Sequence, residues 1–322
     1  MSTRLPAVSV VIPTHDRPRR LTALLAALRA QRLLAGESFE VVVVDDGSGP
    51  ATGAVLAAEA NAGKLALRVV RHHHARGPGA ARNAGWRVTV APLVAFTDDD
   101  CLPAPAWLAV GLEAHRSEPA AVVQGRTLPN PAEAASSGVF SRTVRVDALG
   151  PHFETCNIFY PRALLEQLDG FDEHFGLAPG GEDTDLAWRA IELGLPTRFA
   201  ADALIHHAIE RLGPIGSLRV AARWSETVGV FARHPQLRRS LYRGTFWNVW
   251  HYLLLRSLVA LAMPARLHGL RRMLLGRHVA ALLERARQAD AGPWTVPYLL
   301  VHDAVELSAV ARGAIRARTL VL

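Results

Sequence analysis

The strongest constraint on the fold is an alternation. Short β-branched apolar runs take turns with stretches of helical spacing through the first hundred residues. Val8-Ser9-Val10-Val11-Ile12 ends at Pro13, and the run 39–44 ends at Asp45-Asp46-Gly47-Ser48. A third run covers 65–70, and Leu93-Val94-Ala95-Phe96 ends at Thr97-Asp98-Asp99-Asp100. Between them lie 18–31, with Leu21, Leu24, Leu25 and Leu28 on one helical stripe, then 51–62, then the small-residue stretch 77–86. Runs this short and continuously apolar read as strands covered on both faces. Their alternation with helices predicts β-α-β units in a mostly parallel, doubly covered sheet.

Beyond Pro103 the spacing predicts a helix over 107–117, a strand over 121–125 and a polar connection over 129–149. A strand over 156–160, a short helix over 162–168, a helix over 185–193 closed by Gly194 and a strand over 198–201 follow. From about Leu212 the style changes to a Trp-, Leu- and Arg-rich stretch with helical periodicity and no strand signal. Two regions are therefore expected, 1–212 and a helical 213–322. Charge divides at the same place: residues 1–212 carry 20 basic and 24 acidic side chains, residues 213–322 carry 16 and 5, and the sums −4 and +11 recover the net +7. A rear half this basic suggests an anionic partner.

The two cysteines, Cys101 and Cys156, form no Cys-x-x-Cys pair and no His/Cys ligand spacing, so packed or loop thiols are expected. No secretory signal precedes Pro6, and a cytoplasmic location is the expectation. The most apolar stretch, 246–263, contains His251 and Arg256. A central Arg opposes insertion by about 2.5–3.5 kcal/mol, so an interfacial or bundle-core helix is expected rather than a span.

Several polar clusters punctuate these runs. Asp98-Asp99-Asp100 places negative charge at a strand's carboxyl end, where open α/β sheets bind ligands. Alternation along an extended chain points Asp98 and Asp100 the same way, suited to a hard divalent cation, although an acidic turn with a helix cap reads equally well. Asp46-Gly47 suits a base or ribose contact, or an ordinary turn. Arg76-Gly77-Pro78-Gly79-Ala80-Ala81-Arg82-Asn83 opens a helix whose amides and Arg82 suit phosphate, or packs closely on the sheet. Glu182-Asp183, after Gly180-Gly181, supply either a general base or helix-capping charge. His206-His207 completes a metal site or does nothing, and His72-His73-His74 reads as a solvated loop.

In this order the segments VSVVIPTHDR, VVVVDDGS, GPGAARNAG, FTDDDCLP, GFDEHF and GEDTDLAWR resemble the family 2 glycosyltransferases of the GT-A nucleotide-sugar fold, across roughly residues 8–207. The resemblance implies a GT-A, Rossmann-like sheet followed by a helical C-terminal region. It implies a donor pocket drawn from Pro13, Thr14, Asp16, Arg17, Asp46, Arg82, Asp98 and Asp99. Asp98 and Asp100 would hold Mg²⁺ or Mn²⁺ with His207, and Glu182-Asp183 would supply the base of an inverting displacement, Asp183 first. Asn157 and Trp188 are weaker candidates for sugar or acceptor contact. The implied partners are a nucleoside-diphosphate sugar and a carbohydrate or lipid-linked acceptor in cell-envelope synthesis. An anionic membrane surface would meet 213–322, at the inner face of the membrane. No nucleic acid is expected, because lysine is scarce and no nucleic-acid motif is present. Two other readings compete. A nucleotidyltransferase of related fold needs a basic, Gly-rich signature after the first strand, which Pro13-Thr14-His15-Asp16 does not supply. A non-catalytic nucleotide-sugar binding protein is opposed by the intact Asp98, Asp100, Glu182 and Asp183.

Overall fold

A computed structural model describes residues 5–176 and 180–322. In chain order it holds β1 (Val8–Thr14), α1 (Pro18–Arg29), β2 (Phe39–Asp46), α2 (Pro50–Ala62), β3 (Leu67–His72), α3 (Pro78–Trp86), β4 (Leu93–Thr97), β5 (Cys101–Pro103), α4 (Trp107–Ser117) and β6 (Val122–Pro129). There follow β7 (Ser141–Arg142), β8 (Asn157–Pro161), α5 (Arg162–Gln167), α6 (Glu182–Glu192), β9 (Thr197–His207) and β10 (Glu210–Arg211). The rest is helical: α7 (Gly213–Thr227), α8 (Gly229–Arg233), α9 (Val249–Leu261), α10 (His268–Gln288) and α11 (Val296–Ala317). The chain separates into two compact units, one of 1–133 with 143–208 and one of 134–142 with 209–322.

The first unit is built on an eight-stranded sheet of order β3-β2-β1-β4-β8-β6-β9-β5. The left half, β3-β2-β1-β4, is parallel throughout. β8 runs antiparallel to both β4 and β6, and β6 pairs parallel with β9. Period-two alternation splits each strand between two cores. Val10, Ile12, Val41, Val43 and Ala95 pack with the leucine stripe of α1 and with Trp107 and Leu108 of α4. Val11, Val42, Val44, Val94 and Phe96 face the other way, against Ala81 and Trp86 of α3 and Leu186, Ala187 and Ala190 of α6. Both faces are covered, which is why these strands read as continuous apolar runs.

Several elements run longer than their sequence pattern, β6 to Pro129 and β2 to Asp46 among them. α6 starts at Glu182, not Asp185, because Gly181 at φ 102° turns the chain into the helix and the acidic first turn faces the positive end of its dipole. β9 extends from Thr197 to His207 because a bulge absorbs the break at Ala201-Asp202. Gly125 pairs with Ala200, the next residue Arg126 pairs with Leu204, and the strand then carries His206 and His207 beside β5.

The second unit packs α7, α8, α9, α10 and α11 with the small β7–β10 ladder. Among the described residues no helix is long and apolar enough to cross a membrane.

Candidate active site

The carboxyl ends of β2, β1 and β4 lie side by side, so the loops that leave them are neighbours. These loops are stitched together. The Gly49 amide donates to Asp16 Oδ1 at 2.7 Å, and the Asp16 amide donates to Ser48 Oγ at 3.0 Å. His15 Nδ1 donates to the Asp46 carbonyl at 2.8 Å. Asp16 takes φ 52°, a conformation its short polar side chain tolerates. Pro13 is half-buried at the end of β1, paired with Val44.

Asp46 is buried and its carboxylate is already engaged. It accepts from the Arg76 amide (2.9 and 3.1 Å), the Gly77 amide (2.9 Å) and His72 Nδ1 (2.6 Å). Asp46 therefore pins the loop that leads into α3. His72 is correspondingly part of the framework and not a solvated loop residue, because its ring is nearly buried against that carboxylate.

The aspartate run divides three ways. Asp99 turns inward, where it accepts from Thr14 Oγ1 at 2.7 Å and from Arg17 at 3.3 Å. Burial pushes its carboxyl up to about 7, against the pull of Arg17 and the Thr14 hydroxyl. Asp98 accepts from Arg82 at 2.7 Å, and Asp100 from Arg17 at 2.7 Å. Arg82 is almost wholly buried, and its other terminal nitrogen reaches Glu182 Oε1 at 3.1 Å. Burial opposes its charge, but Asp98 and Glu182 outweigh that and raise its pKa. One guanidinium thus joins the acidic end of β4 to the first turn of α6.

At that turn the two acids differ. Glu182 is buried, held by Arg82 and by the Gly180 amide at 2.8 Å. Asp183 is half-buried and accepts from the Thr184 amide at 2.8 Å. Burial first, then the Glu182 carboxylate, push its carboxyl up to about 8, with Arg82 pulling the other way. A carboxylate so placed takes up a proton near neutral pH, as a general base must.

His207 Nδ1 lies 2.8 Å from the Ala208 carbonyl, which can only accept, so that nitrogen carries the proton. Its Nε2 lies 3.5 Å from Asp100 Oδ1. A carboxylate oxygen of Asp100, the Cys101 sulfur and a His207 ring nitrogen lie within 4.8 Å of one another. The Asp100 carboxylate suits Mn²⁺ or Mg²⁺ and the His207 imidazole suits transition-metal ions, so the residues present fit a divalent ion. Asp100 and His207 are gathered here as the sequence suggested, and Asp98 is turned to Arg82.

Asn157 and Trp188 have structural partners. Asn157 is buried; its oxygen accepts from Trp107 Nε1, and its amide nitrogen donates to the carbonyls of Arg126 and Ala203, each at 2.8 Å. Trp188 donates to the Pro151 carbonyl at 2.9 Å. Sequence reasoning gave no hint of the Thr14–Asp99 bond or the Asp98–Arg82–Glu182 link, since they join residues 16 to 100 positions apart on different elements. Only the polar type of each residue marked it in advance.

Glycosyl transferase family 2 matches residues 9–165. The pre-mycofactocin glycosyltransferase of Mycobacterium tuberculosis is 30% identical over 213 residues, covering 62% of this chain and 42% of its own. Glycosyltransferase AglE of Haloferax volcanii is 28% identical over 223 residues, covering 67% of this chain and 71% of its own. The chain thus spans less than half the length of the mycobacterial relative. The mannosyltransferase PcManGT from Pyrobaculum calidifontis, solved in complex with GDP-Man and Mn²⁺, shares the fold with a TM-score of 0.61 at 21% identity, over 98% of this chain and 88% of its own. Family match, named relatives and the GT-A fold agree: residues 9–165 of the chain are a glycosyl transferase family 2 domain.

Proposed function

We propose that this chain moves a sugar from a nucleoside-diphosphate sugar to an acceptor hydroxyl, with a divalent cation and with inversion at the anomeric carbon. The observation that carries the reading is the Asp98–Arg82–Glu182 link, which ties the helix bearing Asp183 to the acidic end of β4. The names of the relatives and the GDP-Man and Mn²⁺ bound to PcManGT support it.

In this reading Pro13, Thr14, Asp16, Arg17, Asp46, Arg82, Asp98 and Asp99 form the donor pocket. Asp46 contributes by fixing the 72–77 loop, and Arg17 lies half-exposed beside Asp99 and Asp100, in reach of a diphosphate. Asp100 and His207, with Asp98 near by in sequence, would hold the cation. When bound, it neutralises charge on the departing diphosphate. The acceptor oxygen attacks the anomeric carbon as the bond to the diphosphate breaks, and the nucleoside diphosphate leaves with that electron pair. The acceptor proton passes to the Asp183 carboxylate, which the Thr184 amide holds and whose basicity Glu182 raises.

The acceptor is proposed to be a cell-envelope polysaccharide or glycolipid, reached at the inner face of the membrane. The basic 213–322 region supports that placement. Incubation with UDP-, GDP- and dTDP-sugars tests the reading through metal-dependent release of nucleoside diphosphate in the presence of acceptor lipid. Release by Asp183→Asn at the wild-type rate would refute the assigned base.

A further inference from the structure

The second unit exposes a helix–turn–helix tip with an unusual composition. Between Glu226 and Glu284 the chain has nine arginines and no carboxylate. α9 and α10 pack against each other within this stretch. Their stems are fixed by the buried Ser257–His278 hydrogen bond at 2.8 Å, by the bond from Arg256 to the Leu274 carbonyl at 3.4 Å and by Arg285 stacked over Trp250.

Beyond Ala260 that support ends. No residue from 261 to 273 is buried, yet the segment contains Leu261, Met263, Leu267, Leu270 and Met273. Leu258 and Val259, just before it, are 52% and 60% exposed. None of these apolar side chains is buried in the core of its own unit. Arg266, Arg271 and Arg272 are interleaved with them. Exposed leucine and methionine beside arginine, with no acidic residue near in sequence, match the boundary between lipid headgroups and acyl chains.

A second copy of this chain would press like charges together, and a nucleic acid would leave the leucines in water. We propose that the 261–273 tip docks on an anionic phospholipid bilayer. Its apolar side chains enter the acyl boundary and its arginines lie on lipid phosphates. The tip rests on the bilayer and does not cross it, in keeping with the lack of any spanning helix among the described residues. This contact rests on the membrane-side placement proposed above. Its test reads no sugar transfer, so either proposal can fail alone.

The full chain is floated with vesicles of phosphatidylcholine alone or mixed with phosphatidylglycerol, at low and high salt. Co-flotation with the mixed vesicles only is expected. Leu267→Asp/Leu270→Asp and Arg266→Glu/Arg272→Glu should each lower the bound fraction at least tenfold without changing the thermal melt, since all four side chains are exposed. A Leu270→Trp variant should show blue-shifted emission on the mixed vesicles. Any of three results overturns the proposal. They are an Asp variant that floats as wild type does, duplex DNA that binds equally well with the Asp variant, which marks a plain polyanion surface, and a chain that dimerises through the tip without lipid.

Discussion

Replacing Asp183 by Asn should stabilise the protein while removing its activity. The carboxyl is pushed up from 3.8 to about 8, by burial and by Glu182. A carboxyl raised in the folded state favours folding fully below its unfolded pKa, and that contribution is lost as pH rises through the folded value. Wild type therefore loses stability relative to Asp183→Asn between about pH 4 and pH 8. Each pKa unit corresponds to about 1.4 kcal/mol. Asp183 is half-buried, and water on its open side screens the charge, so the difference expected at pH 8.5 is about 1–2 kcal/mol. For a unit of this size that equals about 2–8 °C in Tm. Asn keeps the acceptor oxygen that takes the Thr184 amide, so little else changes. Thermal melts of both proteins at pH 5 and pH 8.5 give the comparison. Expected are a gap that widens with pH and a fall of about 10²–10⁴ in turnover. An Asn variant no more stable than wild type at pH 8.5 would refute the argument that Asp183 is held as a strained, proton-seeking base.

Arg82→Met should lower stability by about 3–5 kcal/mol in urea unfolding, because Glu182 and Asp98 lose the cation between them. Adding Glu182→Gln should restore part of that loss, and no recovery would contradict the link. The pH profile of kcat/KM should rise through an acid limb near pH 8, the value to which Asp183 is pushed. Arg82→Met should move that limb upward, since Arg82 favours the charged carboxylate; a limb that stays in place would refute this. Gly111→Ala should cost about 1–3 kcal/mol by calorimetry, because an added Cβ would meet the Phe159 ring at 2.2 Å.

Much of the first unit was legible as sequence, for a physical reason. Strands covered on both faces must be continuously apolar, so β1, β2 and β4 announce themselves, and the stripe of α1 shows its buried face directly. β9 was legible only in part, because its bulge is sanctioned by pairing with β6 and not by local pattern. The position of Asp46 at a strand end was visible, but its engagement by the Arg76 and Gly77 amides depends on a loop thirty residues away. The sorting of Asp98, Asp99 and Asp100 follows from Arg82, Thr14 and Arg17, all distant in sequence. Alternation alone put Asp98 with Asp100. The structure gives Asp100 to His207 and Asp98 to Arg82, because tertiary partners decide where carboxylates in a turn point.

The central claim is that the acidic end of β4 binds a nucleotide sugar through a divalent cation. Thermal shift of the full chain with UDP-, GDP- and dTDP-sugars, with and without Mn²⁺, tests it most directly beside Asp100→Ala/His207→Ala. The account predicts stabilisation by one donor that requires the cation and disappears in the double variant. A folded protein that no donor stabilises, with or without Mn²⁺, would contradict it.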